Sequence, residues 1–149
     1  MTRAQFDAFV NALALRYVGI AYRWAGDDPM AGWDCNGIGQ EMLASLGEDP
    51  PGDQTAQALF DYFNHPLAAT RREGARAGAL AFFGSSPRHI THVGFCISGD
   101  LMLEAGGGGS STTSLDAAVK QNAYVRIRPI DRRKDLVAVL DLKYRIIKE

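Results

Sequence analysis

Cys35, His92 and Glu104 are the three side chains whose types and spacing could do chemistry together. A thiol, an imidazole and a carboxylate are the parts of a nucleophilic site: the base activates the nucleophile, and a third polar group orients the base. Cys35 stands at the start of a predicted helix, where free N–H groups and the positive dipole end favour a thiolate. Gly37 and Gly39 keep the first turn slim enough for another element to approach closely. His92 starts a predicted strand, and Gly94 leaves space beside its imidazole. The alternative for Cys35 is a small buried apolar side chain. Asp34 and the two glycines at the helix start favour the reactive thiol instead. His92 alone would read as an ordinary satisfied histidine, and its pairing with Cys35 singles it out.

The spacing between His92 and Glu104 is informative. They are twelve residues apart, joined through Ser98-Gly99-Asp100. A hairpin loop of those three residues pairs Ile97 with Leu101 and Gly94 with Glu104. Glu104 then shares a face with His92, diagonally across the missing side chain of Gly94, within reach of a long side chain. A two-residue loop would send Glu104 to the opposite face. The same pattern turns Val93, Phe95 and Ile97 toward the core. On this reading Glu104 accepts a hydrogen bond from a His92 ring nitrogen and sets the tautomer presented to Cys35. The alternative for Glu104 is a solvated hairpin residue.

Other candidates are weaker. Cys35, His89, His92 and Glu104 are all competent zinc ligands. His89 and His92 are three apart, however, and odd spacing on a strand sends side chains to opposite faces, so neither metal nor cofactor is expected. Gly106–Gly109 is followed by no lysine and opens no helix, so it does not read as a phosphate loop; a mobile wall of a cleft fits it better. Trp24 and Trp33 are candidates to line a groove or to pack in the core. Cys96 alternates within a strand and reads as structural, and His65 and His89 read as surface residues.

The elements that must position these groups follow from the periodicity. Thr2 and Gln5 have capping-box spacing ahead of a stripe at Phe6, Phe9, Val10, Leu13 and Tyr17, which predicts a helix over residues 3–17. Residues 25–34 are rich in turn formers and read as a loop. Ile38, Met42 and Leu46 mark a second helix ending at Gly47. Pro50-Pro51-Gly52 breaks the chain, and Asp53 is expected to cap a third helix with Ala56, Leu59, Phe60 and Phe63 on one face. Strands are predicted at Ala79–Phe83, Thr91–Ile97, Leu101–Ala105 and Ala123–Ile130. Residues 135–147 fit strand or helix equally. Helices first and strands later predict an α+β fold with an antiparallel sheet.

The length suits one domain, expected over residues 1–149, with a core large enough to need neither disulfide nor metal. Two cysteines make no disulfide framework, and two free thiols with different jobs are expected. The net charge of −1 gives no overall attraction to nucleic acid or membrane. Residues 1–70 carry a balance of −6 and residues 125–149 one of +4. These read as two solvated faces; the weaker reading is a basic flank that helps hold an anionic polymer. No apolar run has the length of a membrane span. The N-terminus has no basic segment followed by an apolar one, which predicts no secretion signal.

Four motifs in order complete the reading: Tyr22-Arg23-Trp24-Ala25-Gly26, Asp34-Cys35-Asn36-Gly37, Gly78-Ala79-Leu80-Ala81-Phe82-Phe83 and His92-Val93-Gly94-Phe95. Together, over roughly residues 10–106, they resemble the NlpC family of papain-like cysteine peptidases. The resemblance implies N-terminal helices packed on a central antiparallel sheet. It implies Cys35 as nucleophile, His92 as base and Glu104 as the residue that orients it. Tyr22 and the Cys35 N–H would help hold the oxyanion, and Trp24, Asp34 and Asn36 complete the expected substrate-binding set. The implied reaction is hydrolysis, through an acyl-enzyme, of the bond between D-γ-glutamate and a diamino acid in peptidoglycan stem peptides. Stem peptides are the expected partner, with no nucleic acid and no membrane insertion. The chain departs from the family pattern in Asn36 for the usual serine, in Glu104 where histidine is common, and in a longer segment over residues 27–33. The lack of a signal peptide and wall-binding domain resembles phage-encoded members, which implies synthesis in the cytoplasm, action at the bacterial wall, and a role as endolysin or beside phage tail proteins. Alternatives are a non-catalytic tail or wall-binding module of the same fold, and an amidase or acyltransferase using the same three residues.

Overall fold

The computed structural model describes residues 1–21, 35–52, 54–106 and 114–148; for Cys35 and Asn36 it describes only the helical backbone. The first helix, α1, spans Arg3–Leu15. Thr2 caps it through the predicted capping box: its hydroxyl accepts from the Gln5 N–H while the Gln5 side chain accepts from the Thr2 N–H. Phe6, Val10 and Ala14 form its buried stripe. Phe9, predicted to belong to that stripe, is exposed, because Phe6, Val10 and Ala14 follow the i, i+4 row more closely. Tyr17 lies in the turn beyond the helix and packs against the core.

Helix α2 (Cys35–Ser45) buries Ile38, Met42 and Leu43, and Leu46 follows in its closing turn. Gly47 takes φ +81°, the left-handed conformation that ends helices, and the Glu48 N–H returns to the Leu43 carbonyl. Helix α3 (Ala56–Phe63) buries Ala56, Leu59, Phe60 and Phe63, as the periodicity predicts. Its cap is Thr55, whose side chain accepts from the Ala58 N–H at 3.0 Å. The expected cap, Asp53, lies outside the described residues; the cap stands two residues later, at Thr55.

Among the described residues six strands form one antiparallel sheet: β1 (Ala69–Arg72), β2 (Leu80–Ser86), β3 (His89–Cys96), β4 (Leu101–Gly106), β5 (Tyr124–Pro129) and β6 (Leu136–Leu142). Their spatial order is β1-β6-β2-β3-β4-β5. The ambiguous segment 135–147 thus supplies a central strand, paired with β1 on one side and β2 on the other. Helix α4 (Leu115–Gln121), which the periodicity did not predict, lies between β4 and β5. It is capped by Ser114 and closed by Asn122 at φ +52°.

The sheet has two buried faces. Leu80 and Phe82 of β2, Val93 and Phe95 of β3, and Leu103 and Ala105 of β4 join the buried residues of α1, α2 and α3 in the large core, with Ile97 just beyond β3. Ala79, Ala81, Phe83, Cys96, Met102, Ile130 and Val139 form a second, smaller cluster on the other face. Gly78 shows why its position has no side chain. At φ +92°, a Cβ there would come within 2.9 Å of both the Phe6 and Tyr144 rings, and its carbonyl accepts from the buried Tyr144 hydroxyl at 2.6 Å.

Candidate active site

His92 is held by two strands. On β2 its partner is Phe83, and the two ring centroids are 5.7 Å apart. Just beyond that pair the register slips between Phe83 and Gly84. The slip needs glycine: a Cβ on Gly84 would overlap the His89 carbonyl, and the Gly84 N–H is taken by the Asp135 carbonyl. Helix α3 fixes the same corner. The Gln57 side chain accepts from the Ile90 N–H at 2.8 Å and donates to the Pro87 carbonyl at 2.9 Å.

The β3–β4 hairpin has the register that its loop length predicts. Phe95 pairs with Leu103 and Cys96 with Met102, and the Ile97 N–H donates to the Leu101 carbonyl across Ser98-Gly99-Asp100. Continued by one residue toward His92, this register sets Glu104 opposite Gly94 and so on the face of His92. The predicted contact is present: His92 Nε2 donates to Glu104 Oε2 at 2.6 Å. The side chains are closed off from solvent: His92 is 8% exposed and Glu104 only 1%. The space over Gly94 is not open to a substrate, however. Met102 fills it from the neighbouring strand.

The second oxygen of Glu104 faces arginine. Arg132, in the 3₁₀ turn Ile130–Arg132 that follows β5, donates from Nη1 to Oε1 at 3.1 Å. Arg128 Nε lies 4.0 Å from the same oxygen. Burial alone would raise the Glu104 carboxyl; the hydrogen bond and charge of His92, then Arg132 and Arg128, outweigh it and hold the group below the ordinary carboxylate value. Glu104 is therefore an anion that only accepts, and His92 Nε2 carries the shared hydrogen. Arg132 and Arg128 are legible in the sequence only as part of a basic flank. Neither belongs to a short motif, and Arg132 lies 28 residues from its partner.

Phe83 carries a further layer. The Arg133 guanidinium lies 5.0 Å from its ring centroid and makes paired bonds to Asp135 at 2.9 and 2.8 Å. Cys96 is wholly buried on the same sheet face, and burial, then the Asp141 carboxylate, pushes its thiol up to about 12. It packs as the structural residue that its strand position predicts. His89 is exposed at the start of β3. Among the described residues no group of three His, Cys, Asp or Glu could hold a metal ion. A cavity of about 590 Å³ lies beside the β3–β4 turn, lined in part by Gly99, Leu101, Ile130 and Leu136; neither His92 nor Glu104 lines it.

Cys35 is the first residue of α2, the helix that packs against β3 and β4. The strands that carry His92 and Glu104 are therefore the strands on which the Cys35 helix rests. Tyr22, Trp24, Trp33 and Asp34 lie outside the described residues, as do the side chain of Asn36 and the loop predicted over residues 25–34. Gly107, Gly108 and Gly109 of the glycine run lie outside them too.

Comparison with known proteins supports the fold. A bifunctional muramidase/DL-endopeptidase, CwlT of Bacillus subtilis (strain 168), is 35% identical over 107 residues, which are 68% of this chain and 30% of that protein. The chain thus spans about a third of the length of this relative. The NlpC/p60 domain of the peptidoglycan hydrolase SagA superposes with a TM-score of 0.64 at 21% identity, covering 91% of this chain and 97% of that one. RipD of Mycobacterium tuberculosis, a non-catalytic NlpC/p60 domain protein adapted to peptidoglycan binding, superposes with a TM-score of 0.64 at 20% identity, covering 91% and 95%. These structures share the papain-like arrangement of helices on an antiparallel sheet. The family model for NlpC/P60 matches residues 19–129, from the turn after α1 to the last residue of β5, and the chain belongs to the NlpC/P60 family.

Proposed function

We propose that this chain is a cysteine peptidase that hydrolyses peptidoglycan stem peptides, with residues 1–149 acting as one catalytic unit. The observation that carries the reading is the 2.6 Å bond between His92 and a buried, ionised Glu104, on strands that support the helix opened by Cys35. A histidine held this way has a set orientation and tautomer, as a general base requires. Membership of the NlpC/P60 family and the similarity to a DL-endopeptidase supply the substrate class.

In this mechanism the Cys35 thiolate attacks the scissile carbonyl carbon. With Nε2 committed to Glu104, His92 serves the nucleophile and leaving group through Nδ1. The oxyanion is held by the Cys35 N–H and, as the family resemblance implies, by Tyr22. His92 protonates the departing amine, leaving an acyl-enzyme on Cys35. It then takes a proton from water, which attacks the thioester, releases the peptide as a carboxylic acid and frees Cys35 as the thiolate beside the protonated His92. Trp24, Asp34 and Asn36 are assigned to substrate contact. The bond cut is the one between D-γ-glutamate and the diamino acid.

Incubation with purified sacculi, followed by mass analysis of the released fragments, tests the reading. Short stem-peptide fragments are expected, and Cys35→Ala should release none. Intact stem peptides would identify an amidase. Binding without release would identify a module of the RipD kind.

A further inference from the structure

The two oxygens of Glu104 have different neighbours. Oε2 takes the His92 Nε2–H at 2.6 Å, and Oε1 takes the Arg132 Nη1–H at 3.1 Å. The strand register makes Arg126, not Arg132, the residue opposite Glu104. Arg126 is engaged elsewhere: its guanidinium binds the carbonyl and side-chain oxygens of Asn122 and lies 5.8 Å from the Tyr124 ring centroid. Arg132 reaches the carboxylate instead from the turn that closes β5. The Arg132 side chain is 41% exposed, whereas its acceptor is almost wholly buried.

The terminal torsion of a glutamate is broad and nearly twofold, so packing alone sets the carboxylate plane weakly. A carboxylate held on one oxygen can swing away from its histidine. One held on both oxygens by charge-assisted bonds has its plane fixed, and such bonds are roughly twice as strong as neutral ones. We propose that Arg132 is a positioning residue of this site: its bond to Oε1 fixes the Glu104 carboxylate so that Oε2 stays on His92, with Arg128 as a second positive charge behind it. The inference rests on the reading of His92 as the base.

The charged groups around the pair come from every neighbouring element. Glu104 comes from β4, Arg128 from β5, Arg132 from the 3₁₀ turn, and Arg133 with Asp135 from the segment before β6. In the proposed mechanism α2 adds the Cys35 thiolate. Arg133 is bound to Asp135, so it does not replace Arg132 on Glu104. Without Arg132 the carboxylate loses one of its two anchors and its nearest guanidinium, and it titrates closer to an ordinary glutamate.

The test compares wild type, Arg132→Gln and Arg132→Lys as full-length chains. Two readouts are needed: kcat and KM on wall peptides across pH, and the titration of the Glu104 carboxyl carbon by NMR, assigned with Glu104→Gln. Arg132→Gln is expected to lower kcat roughly tenfold, within the range for losing the support of a site residue, with KM nearly unchanged. The acid limb of activity and the Glu104 midpoint should both move to higher pH, and Arg132→Lys should restore most of each. Unchanged kcat, acid limb and carboxyl midpoint in Arg132→Gln would overturn the proposal. If the wild type cuts no wall, the peptidase reading fails, and the carboxyl titration alone decides the role of Arg132. An upward shift in Gln reversed in Lys then supports it, and no shift rejects it.

Discussion

Met102 occupies the place that a side chain at Gly94 would take: a Cβ there would overlap the methionine sulfur and come within 3.1 Å of its Cγ. The glycine in the His-Val-Gly sequence therefore admits a neighbour from β4, one register step from the His92–Glu104 bond. Met102 is wholly buried, so its movable sulfur has little room to yield. Gly94→Ala should destabilise the fold by about 1–3 kcal/mol, as overpacking of a closed site does. Combining it with Met102→Ala should cost less than the sum of the two single changes. Urea denaturation of the four proteins measures this, and strict additivity would show that the two positions do not compete for space.

Glu104→Gln keeps the shape and removes the charge. Glu104 bridges His92 and Arg132 with almost no solvent contact, so an amide would present one donor to a donor. The fold should persist while kcat falls on the order of 10²-fold, the lower end of what a positioned base contributes. Cys35→Ala should be more severe. Wild-type rates for Glu104→Gln at both acid and neutral pH would reduce the site to two residues.

The same carboxylate predicts how stability responds to acid. Its folded-state titration lies below the ordinary value of 4.5, so the folded chain binds a proton there less readily than the unfolded chain. Its contribution is complete above that ordinary value and is lost as the pH falls through the folded one. The stability advantage of wild type over Glu104→Gln should shrink as the pH falls below about 4.5. Urea midpoints measured down the pH scale give this difference directly; an advantage that grows in acid would contradict the assignment.

The two cysteines should differ sharply in reactivity. The Cys96 thiol is buried and pushed up to about 12, so it carries almost no thiolate at neutral pH. Cys35 begins a helix, where a thiolate is favoured. Brief iodoacetamide treatment followed by peptide mapping should label Cys35 and leave Cys96 intact until the chain is unfolded. Equal labelling of both would remove the argument for an activated nucleophile.

The parts of this architecture that were legible in the sequence are those in which a local rule and the tertiary structure agree. The Thr2–Gln5 box starts α1 as its spacing predicts. The three-residue loop of the β3–β4 hairpin set the parity that puts Glu104 beside His92. Strand β1 has no local signal, because Ala-Thr-Arg-Arg has one buried residue and no alternation; it is a strand by virtue of pairing with β6. Helix α4 shows no apolar stripe in the sequence because it buries only Ala118, although Ser114 and Asn122 mark its ends. The expectation of Asp53 as the third-helix cap rests on the capping preference of aspartate, which Thr55 shares two residues later, and Thr55 holds the amide. Arg132 had no local signature, since its role exists only when the end of β5 folds back beside β4.

The position of β6 also has a consequence for how the chain comes to be folded. The last strand in sequence lies between β1 and β2, so neither is flanked on that side until residues 136–142 are available. On a ribosome, the β2–β5 meander could form early, but it would expose an open edge along Leu80–Phe83, a run of apolar side chains. Such an edge invites pairing with another chain. Closure then depends on contacts between segments more than fifty residues apart, which makes it a slow step. Aggregation during synthesis should therefore compete with insertion of a single strand, and variants that weaken β6 should lower the soluble yield more than their effect on the folded protein suggests.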